Sequence, residues 1–171
     1  MTDLLLLAAL LAGPRHGYAL KKQIGLLSGN AAMHNNLVYP LLKRFVQQGW
    51  VSRRATAGER GQTREVYSLT KAGKQVLLDR LGELSDRDAG SADALRIRVG
   101  LFGFLGAGQR HEILQKRDKW LAARQDRLRL IAQKQPMDIW ATEVVRFICK
   151  QTDMEREWLG RLAKLAKKSA K

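Results

Sequence analysis

Residues 35–78 read NNLVYPLLKRFVQQGWVSRRATAGERGQTREVYSLTKAGKQVLL, and the order of signals in this stretch decides the fold. Asn35 or Asn36 can cap a helix on which Val38, Leu42, Phe45 and Val46 recur at helical spacing as far as Gln48, where Gly49 supplies the stop. Pro40 falls in or just past the first turn, where few backbone donors have a helical partner to lose. The packed side of this helix leaves Tyr39, Lys43, Arg44 and Gln47 on the open side. Two strand-like runs follow, Trp50 to Ala55 and Arg64 to Leu69, and the glycine-containing, weakly apolar residues 56–63 between them read as a flexible hairpin loop. Thr70 can cap a further helix, although Gly73 stands three residues on where a full capping box has Glu or Gln.

Toward the N-terminus, nearly every side chain from Leu4 to Ala12 is apolar, so that helix needs cover on most sides, some of it from a second chain. Gly13 and Pro14 end it. A second helix runs from about His16 to Leu27, with Tyr18, Ala19, Ile24 and Leu27 as its apolar stripe, Lys21 and Lys22 outside, and Gly29 and Asn30 closing it. Short helices, a basic two-stranded wing and a capped helix, in this order, are those of a winged helix-turn-helix, whose third helix fits the major groove of DNA.

Toward the C-terminus, the shift to Ser, Asp and Gly from Leu84 to Ala92 marks a boundary, giving a winged domain over 1–84 and an all-helical domain over 85–171 in a mainly α protein. Leu95, Val99, Phe102 and Leu105 repeat at helical spacing, with Gly100 and Gly103 weakening that helix. Leu114, Leu121 and Leu128 recur in heptads, widened by Trp120 and Ile131. Beyond Pro136, Trp140, Val144, Phe147, Gln151, Met154, Trp158, Leu162 and Leu165 alternate mostly in steps of four and three, close to a coiled-coil seam. Two helices joined at Gln135-Pro136 make a hairpin suited to dimerisation, with Leu114, Leu121, Leu128, Val144, Phe147, Met154, Trp158 and Leu162 as the seam. A monomer would leave much of it wet.

The 171 residues carry a formal charge of +15, which favours a polyanionic partner because each neutralised phosphate releases counterions. The excess is spread: residues 1–80 hold 12 basic and 4 acidic side chains, and residues 81–171 hold 19 and 12, so charge alone does not locate a site. A single Cys149 excludes an internal disulfide and, with no secretory signal recognised, points to a reduced cytoplasmic protein. The apolar run Leu4 to Leu11 follows Asp3 and is far too short to cross a bilayer. His16, His34 and His111 are scattered without paired Cys or carboxylates at ligand spacing, so no metal, cofactor or enzymatic activity is expected. Gly106-Ala107-Gly108 lacks both the preceding strand and the following Lys of a phosphate loop.

Three segments carry a resemblance to a known family: LLAGPRHGYALKKQI from Leu10 to Ile24, LVYPLLKRFVQQGWV from Leu37 to Val51, and REVYSLTKAGKQVL from Arg64 to Leu77. Together they resemble the PadR-type transcriptional regulators, with His16-Gly17-Tyr18 and Tyr39-Pro40 as the specific signatures. The second half, with EREWLGRL from Glu155 to Leu162, resembles the longer helical dimerisation domain of the subfamily related to virulence-gene activators. Where that family usually has Ser or Thr two residues before the Tyr-Pro pair, this chain has Leu37, so Asn35 or Asn36 is left to supply the phosphate contact.

The resemblance implies a homodimeric, sequence-specific DNA-binding regulator that represses by occupying a promoter, acting on a palindromic operator in double-stranded DNA. Tyr39 is similar to the family's phosphate-contacting tyrosine, unless it is a buried structural one. Tyr18, Lys21, Lys22, Lys43 and Arg44 extend the contact track or form a solvated helix face, and Asn35 and Asn36 reach a base edge or only cap the helix. Arg60 at the wing tip and Arg64 at its base follow the backbone or enter the minor groove, whereas Arg53 and Arg54 face solvent. Family members are often released by a small molecule, and Phe102, Trp120 and Trp140 either sandwich a flat aromatic effector or pack as ordinary core. The rival reading is a scaffold protein whose basic tail, Arg161 to Lys171, binds any polyanion without sequence preference.

Overall fold

The structure, a computed structural model, describes residues 2–28, 37–57, 63–134 and 136–168, which divide into two compact units, Met1–Leu81 and Gly82–Lys171. In the first unit, helix α1 (Thr2–Ala9) is followed by a two-residue strand β1 (Arg15–His16), α2 (Gly17–Ser28), α3 (Val38–Gln47), the hairpin β2 (Val51–Ala57) and β3 (Thr63–Leu69), and α4 (Lys71–Gly82). Leu4, Leu5, Leu6 and Leu7 are all buried within the chain itself, so α1 needs no second chain to cover it. Its last turn is tied down by Arg15, whose Nε donates to the Ala9 carbonyl at 3.1 Å.

On α3, Val38, Leu42 and Phe45 form the buried stripe and Tyr39, Lys43, Arg44 and Gln47 stay exposed, as the spacing requires. Gly49 ends the helix at φ 72°, a left-handed conformation that favours glycine. The stripe expected on α2 is rotated: Leu20 and Ile24 are buried, whereas Tyr18 and Ala19 are exposed, and the Leu27 side chain lies outside the described residues.

The antiparallel sheet has three strands in the order β1-β3-β2 rather than two, because Arg15 and His16 pair with Tyr67 and Val66 of β3. Two residues are too few to show an alternating pattern, so this edge strand had no sequence signal. In the hairpin, Arg53 stands opposite Tyr67 and Ala55 opposite Glu65. Thr70 caps α4 by accepting from the Gly73 amide at 3.0 Å, while its hydroxyl reaches the carbonyls of Gly49 at 2.7 Å and Trp50 at 3.0 Å. The Trp50 ring packs on Phe45 with centroids 5.4 Å apart and lies under the Arg80 guanidinium at 4.7 Å.

The second unit contains α5 (Asp86–Ala89), α6 (Ala92–Gly100), a 3-10 turn (Phe102–Phe104), α7 (Ala107–Lys134) and α8 (Ile139–Lys168). The Ser-rich, Asp-rich segment is a run of helix starts: Ser85 Oγ accepts from the Asp88 amide at 3.1 Å and Ser91 Oγ from the Ala94 amide at 3.2 Å. Two buried arginines hold α5. Arg98 donates to Asp88 at 2.8 Å and to the Glu83 carbonyl at 2.9 Å, and Arg117 donates to the Ala89 carbonyl at 2.6 Å.

Helices α7 and α8 pack as an antiparallel hairpin through a polar seam. Arg117 forks onto both oxygens of Glu155 at 2.8 Å each, Arg156 Nε donates to Asp118 at 2.7 Å, and Gln125 donates to Asp153 at 2.8 Å. Among the described residues no helix is long and apolar enough to cross a membrane.

Candidate nucleic-acid interface

Tyr39, in the first turn of α3, is the centre of the first unit's open face. It is 47% exposed, which sets aside the buried structural tyrosine. Two concavities flank it. One, of about 480 Å³, is lined by His16, Gly17, Tyr18, Ala19, Tyr39, Arg64, Glu65 and Tyr67. The other, of about 400 Å³, is lined by Tyr39, Lys43, Val46, Gln47, Arg53, Glu65 and Tyr67. The N-terminus of α2, the open side of α3 and the base of the wing therefore meet on one surface that mixes aromatic rings with cations.

The two short sequence signatures are in contact here: a Cβ placed on Gly17 would stand 2.9 Å from Tyr39 Cε1 and 3.4 Å from Tyr67 Cε2. Below Tyr39, the Tyr67 hydroxyl donates to Glu65 Oε2 at 2.6 Å, and Arg53 Nη1 donates to Glu65 Oε1 at 2.8 Å. Burial, then the hydrogen bond and negative charge of Glu65, push the Tyr67 phenol up from 10.0 to about 12. It stays protonated, a donor, at any physiological pH.

Of the residues singled out from the sequence, Tyr18 at 70% exposure, Tyr39, Lys43 and Arg64 lie on this surface. Lys21 and Lys22 line neither concavity. Arg44 is exposed on α3 but is engaged with Asp3 at 3.4 Å, with its guanidinium 5.5 Å from the Phe45 ring centroid. Asn35, Asn36 and Arg60 lie outside the described residues. Arg53 is paired with Glu65 rather than simply facing solvent; Gln47, read from the sequence as lying on the open side of α3, lines the second concavity, and His16, Glu65 and Tyr67 were not expected at the site. Strand alternation places Arg53, Glu65 and Tyr67 on one face once the register is known, but a loop spanning residues 56–63 does not fix a register from sequence.

In the second unit, the seam read from the sequence separates into two groups. Leu114 and Leu121 are buried in the chain's own interior and Leu128 is half-buried. On α8, Val144, Phe147 and Met154 are exposed, and Trp158 and Leu162 are half-buried. Among the described residues, Thr152, Leu159 and Ala166 are the buried positions of α8, each one residue beyond a member of the outer stripe, or about 100° around the helix.

The three aromatics proposed to hold an effector do not gather in one chain. Phe102 sits in the 3-10 turn, while Trp120 packs on Gly90 and carries the guanidinium groups of Arg117 and Arg124 at 5.1 and 5.5 Å. Trp140 is 79% exposed in the first turn of α8. Given the Arg117–Glu155 register, it lies roughly 20 Å from Trp120 along the hairpin. Among the described residues no group of His, Cys, Asp and Glu could hold a metal ion.

A helical unit with a β-hairpin wing and a cation-bearing third helix defines a winged helix-turn-helix protein. Residues 6–79 match the family described as "Transcriptional regulator PadR-like family", and the chain belongs to that family of transcriptional regulators, which are not enzymes. Protein TA0346 of Thermoplasma acidophilum is 35% identical over 46% of this chain and 75% of its own, with a TM-score of 0.43. PadR of Bacillus subtilis, solved in complex with operator DNA, is 18% identical over 96% of this chain and 98% of its own, with a TM-score of 0.45. The same protein solved with p-coumaric acid is 18% identical over 96% and 94%, with a TM-score of 0.40. No curated protein matches the chain.

Proposed function

We propose that this chain binds duplex DNA as a homodimer on a palindromic operator and represses transcription by occupying the promoter. The observation that carries the reading is the placement of Tyr39, Lys43, Gln47, Arg53 and Arg64 along the same two concavities, with α3 beside the wing. A helix of this size fits the major groove, and its exposed amide and cations can address base edges and phosphates. Tyr39 and the arginines position the protein, while Gln47 is a base-reading side chain by its chemistry.

The dimer is supported by the outer stripe of α8. Trp140, Val144, Phe147, Met154 and Leu165 are all exposed in the single chain, a stripe of large apolar side chains at coiled-coil spacing that is suited to an interaction surface. A twofold axis then places two winged units on half-sites about one helical turn apart, roughly 34–36 Å. Selection of bound sequences from a random duplex pool at physiological salt tests the whole reading. An enriched palindrome is the expected outcome, with a preference over random duplex of about 10³-fold or more. Salt-sensitive binding without enrichment refutes it and favours a polyanion-binding scaffold.

A further inference from the structure

Glu65 is a carboxylate on a surface otherwise rich in cations, and both of its oxygens are occupied: Oε1 by Arg53 at 2.8 Å and Oε2 by the Tyr67 hydroxyl at 2.6 Å. It lines both concavities beside Tyr39. The hairpin register explains the contact. Arg53 faces Tyr67 directly and Glu65 diagonally, while Ala55, the direct partner of Glu65, is too short to compete for the carboxylate. Tyr67 is buried, so its hydroxyl is a fixed point from which Glu65 and then Arg53 are held in line.

We propose that Glu65 is a positioning residue for operator recognition: by tethering Arg53 to Tyr67 beside the α3 face, it raises sequence-specific affinity although its own charge opposes phosphate. The inference rests on the reading of this face as the DNA surface. An untethered exposed arginine loses rotamer freedom on binding, whereas one already held by a carboxylate loses less and presents its remaining donors in a set direction. Coulomb's law makes the opposite demand, since removing a negative charge from a phosphate-facing surface strengthens binding to every duplex alike. The two effects therefore differ in sign.

The test compares the duplex selected by the wild-type protein with a scrambled duplex of equal length, using wild type, E65Q, R53A and the double variant, each checked for an unchanged fold by thermal melting. E65Q is expected to weaken binding to the selected duplex roughly fivefold and to leave or strengthen binding to the scrambled one, as a coupled network requires. The double variant is expected to bind the selected duplex no more weakly than R53A alone. Tighter binding of E65Q to both duplexes, or losses that multiply in the double variant, overturns the proposal while leaving the DNA-binding reading intact. A wild-type protein that selects no sequence overturns both, and that result is read before any variant is made.

Discussion

The Tyr39 ring lies against the backbone of Gly17, so close that a Cβ there would stand 2.9 Å from Cε1. The contact joins the start of α2 to the first turn of α3 and fixes where the central aromatic of the open face stands. Because Tyr39 is half exposed, G17A can be accommodated by displacing the ring. The expected result is a loss of stability of about 1 kcal/mol or less with a clear loss of affinity for the selected operator. Denaturant melts and binding isotherms of the same preparation check it; equal affinity at lower stability would show that the ring's position does not matter.

Gly73 stands in the opposite case. A Cβ on it would be 2.0 Å from the Trp50 carbonyl oxygen and 2.8 Å from its carbon, and backbone atoms cannot swing away. G73A is therefore expected to cost about 3 kcal/mol by overpacking. T70A, which removes the cap and the hydroxyl's contacts to the carbonyls of Gly49 and Trp50, is expected to cost about 1–2 kcal/mol. Equilibrium unfolding of both variants measures this.

That same glycine shows what the sequence could convey. Thr70 was readable as a cap because the hydroxyl acts within its own turn, and the α3 stripe was readable because three buried side chains repeat at helical spacing. Gly73 looked like half of a missing capping box; it is the point where a strand carbonyl meets the helix. Tyr18 was readable both as part of the α2 apolar stripe and as a DNA contact; Leu20 and Ile24 fill the buried side of α2 and Tyr18 stands on the open one. Glu65 and Tyr67 belong to the site through a cross-strand register, and Arg98 and Arg117 are buried through partners distant in sequence, such as Glu155. Local periodicity carries no information about such pairings.

The raised phenol of Tyr67 has a consequence for alkaline stability. The unfolded chain releases this proton near pH 10 and the folded chain retains it to about 12, so the folded state binds more protons across that window. The contribution of this group is complete below about pH 10 and is lost as pH rises through 12. Y67F removes the titration, and its unfolding free energy is expected to fall less steeply than wild type between pH 10 and 12. Parallel slopes would assign the alkaline loss elsewhere.

Arg117 is buried, forks onto Glu155 and donates to the Ala89 carbonyl, so it fastens α7 to both α8 and α5. R117M keeps apolar volume but leaves the Glu155 carboxylate and that carbonyl without their donor. The expected cost is about 3 kcal/mol, because breaking one side of a buried pair strands the other charge. Denaturant unfolding followed by fluorescence of Trp120 and Trp158 reads it; a loss below about 1 kcal/mol would mean that water replaces the guanidinium at no great expense.

The two apolar stripes of α8 make opposite predictions although they differ by one residue in register. Leu159 is 3% exposed and Phe147 60% exposed in the single chain. L159A removes packing that the chain supplies to itself and is expected to cost about 2–4 kcal/mol at any protein concentration. F147E touches little within the chain, so the fold is expected to survive in it. If the outer stripe is the dimer surface, F147E places a charge in an apolar interface and shifts the sedimentation mass from dimer to monomer at micromolar concentration. The monomer then keeps only one winged unit per palindrome, and its binding loses the effective-concentration advantage of a second linked site, about a hundredfold or more. A variant that remains dimeric with operator affinity intact would assign the interface to another surface and leave the α8 stripe without a partner.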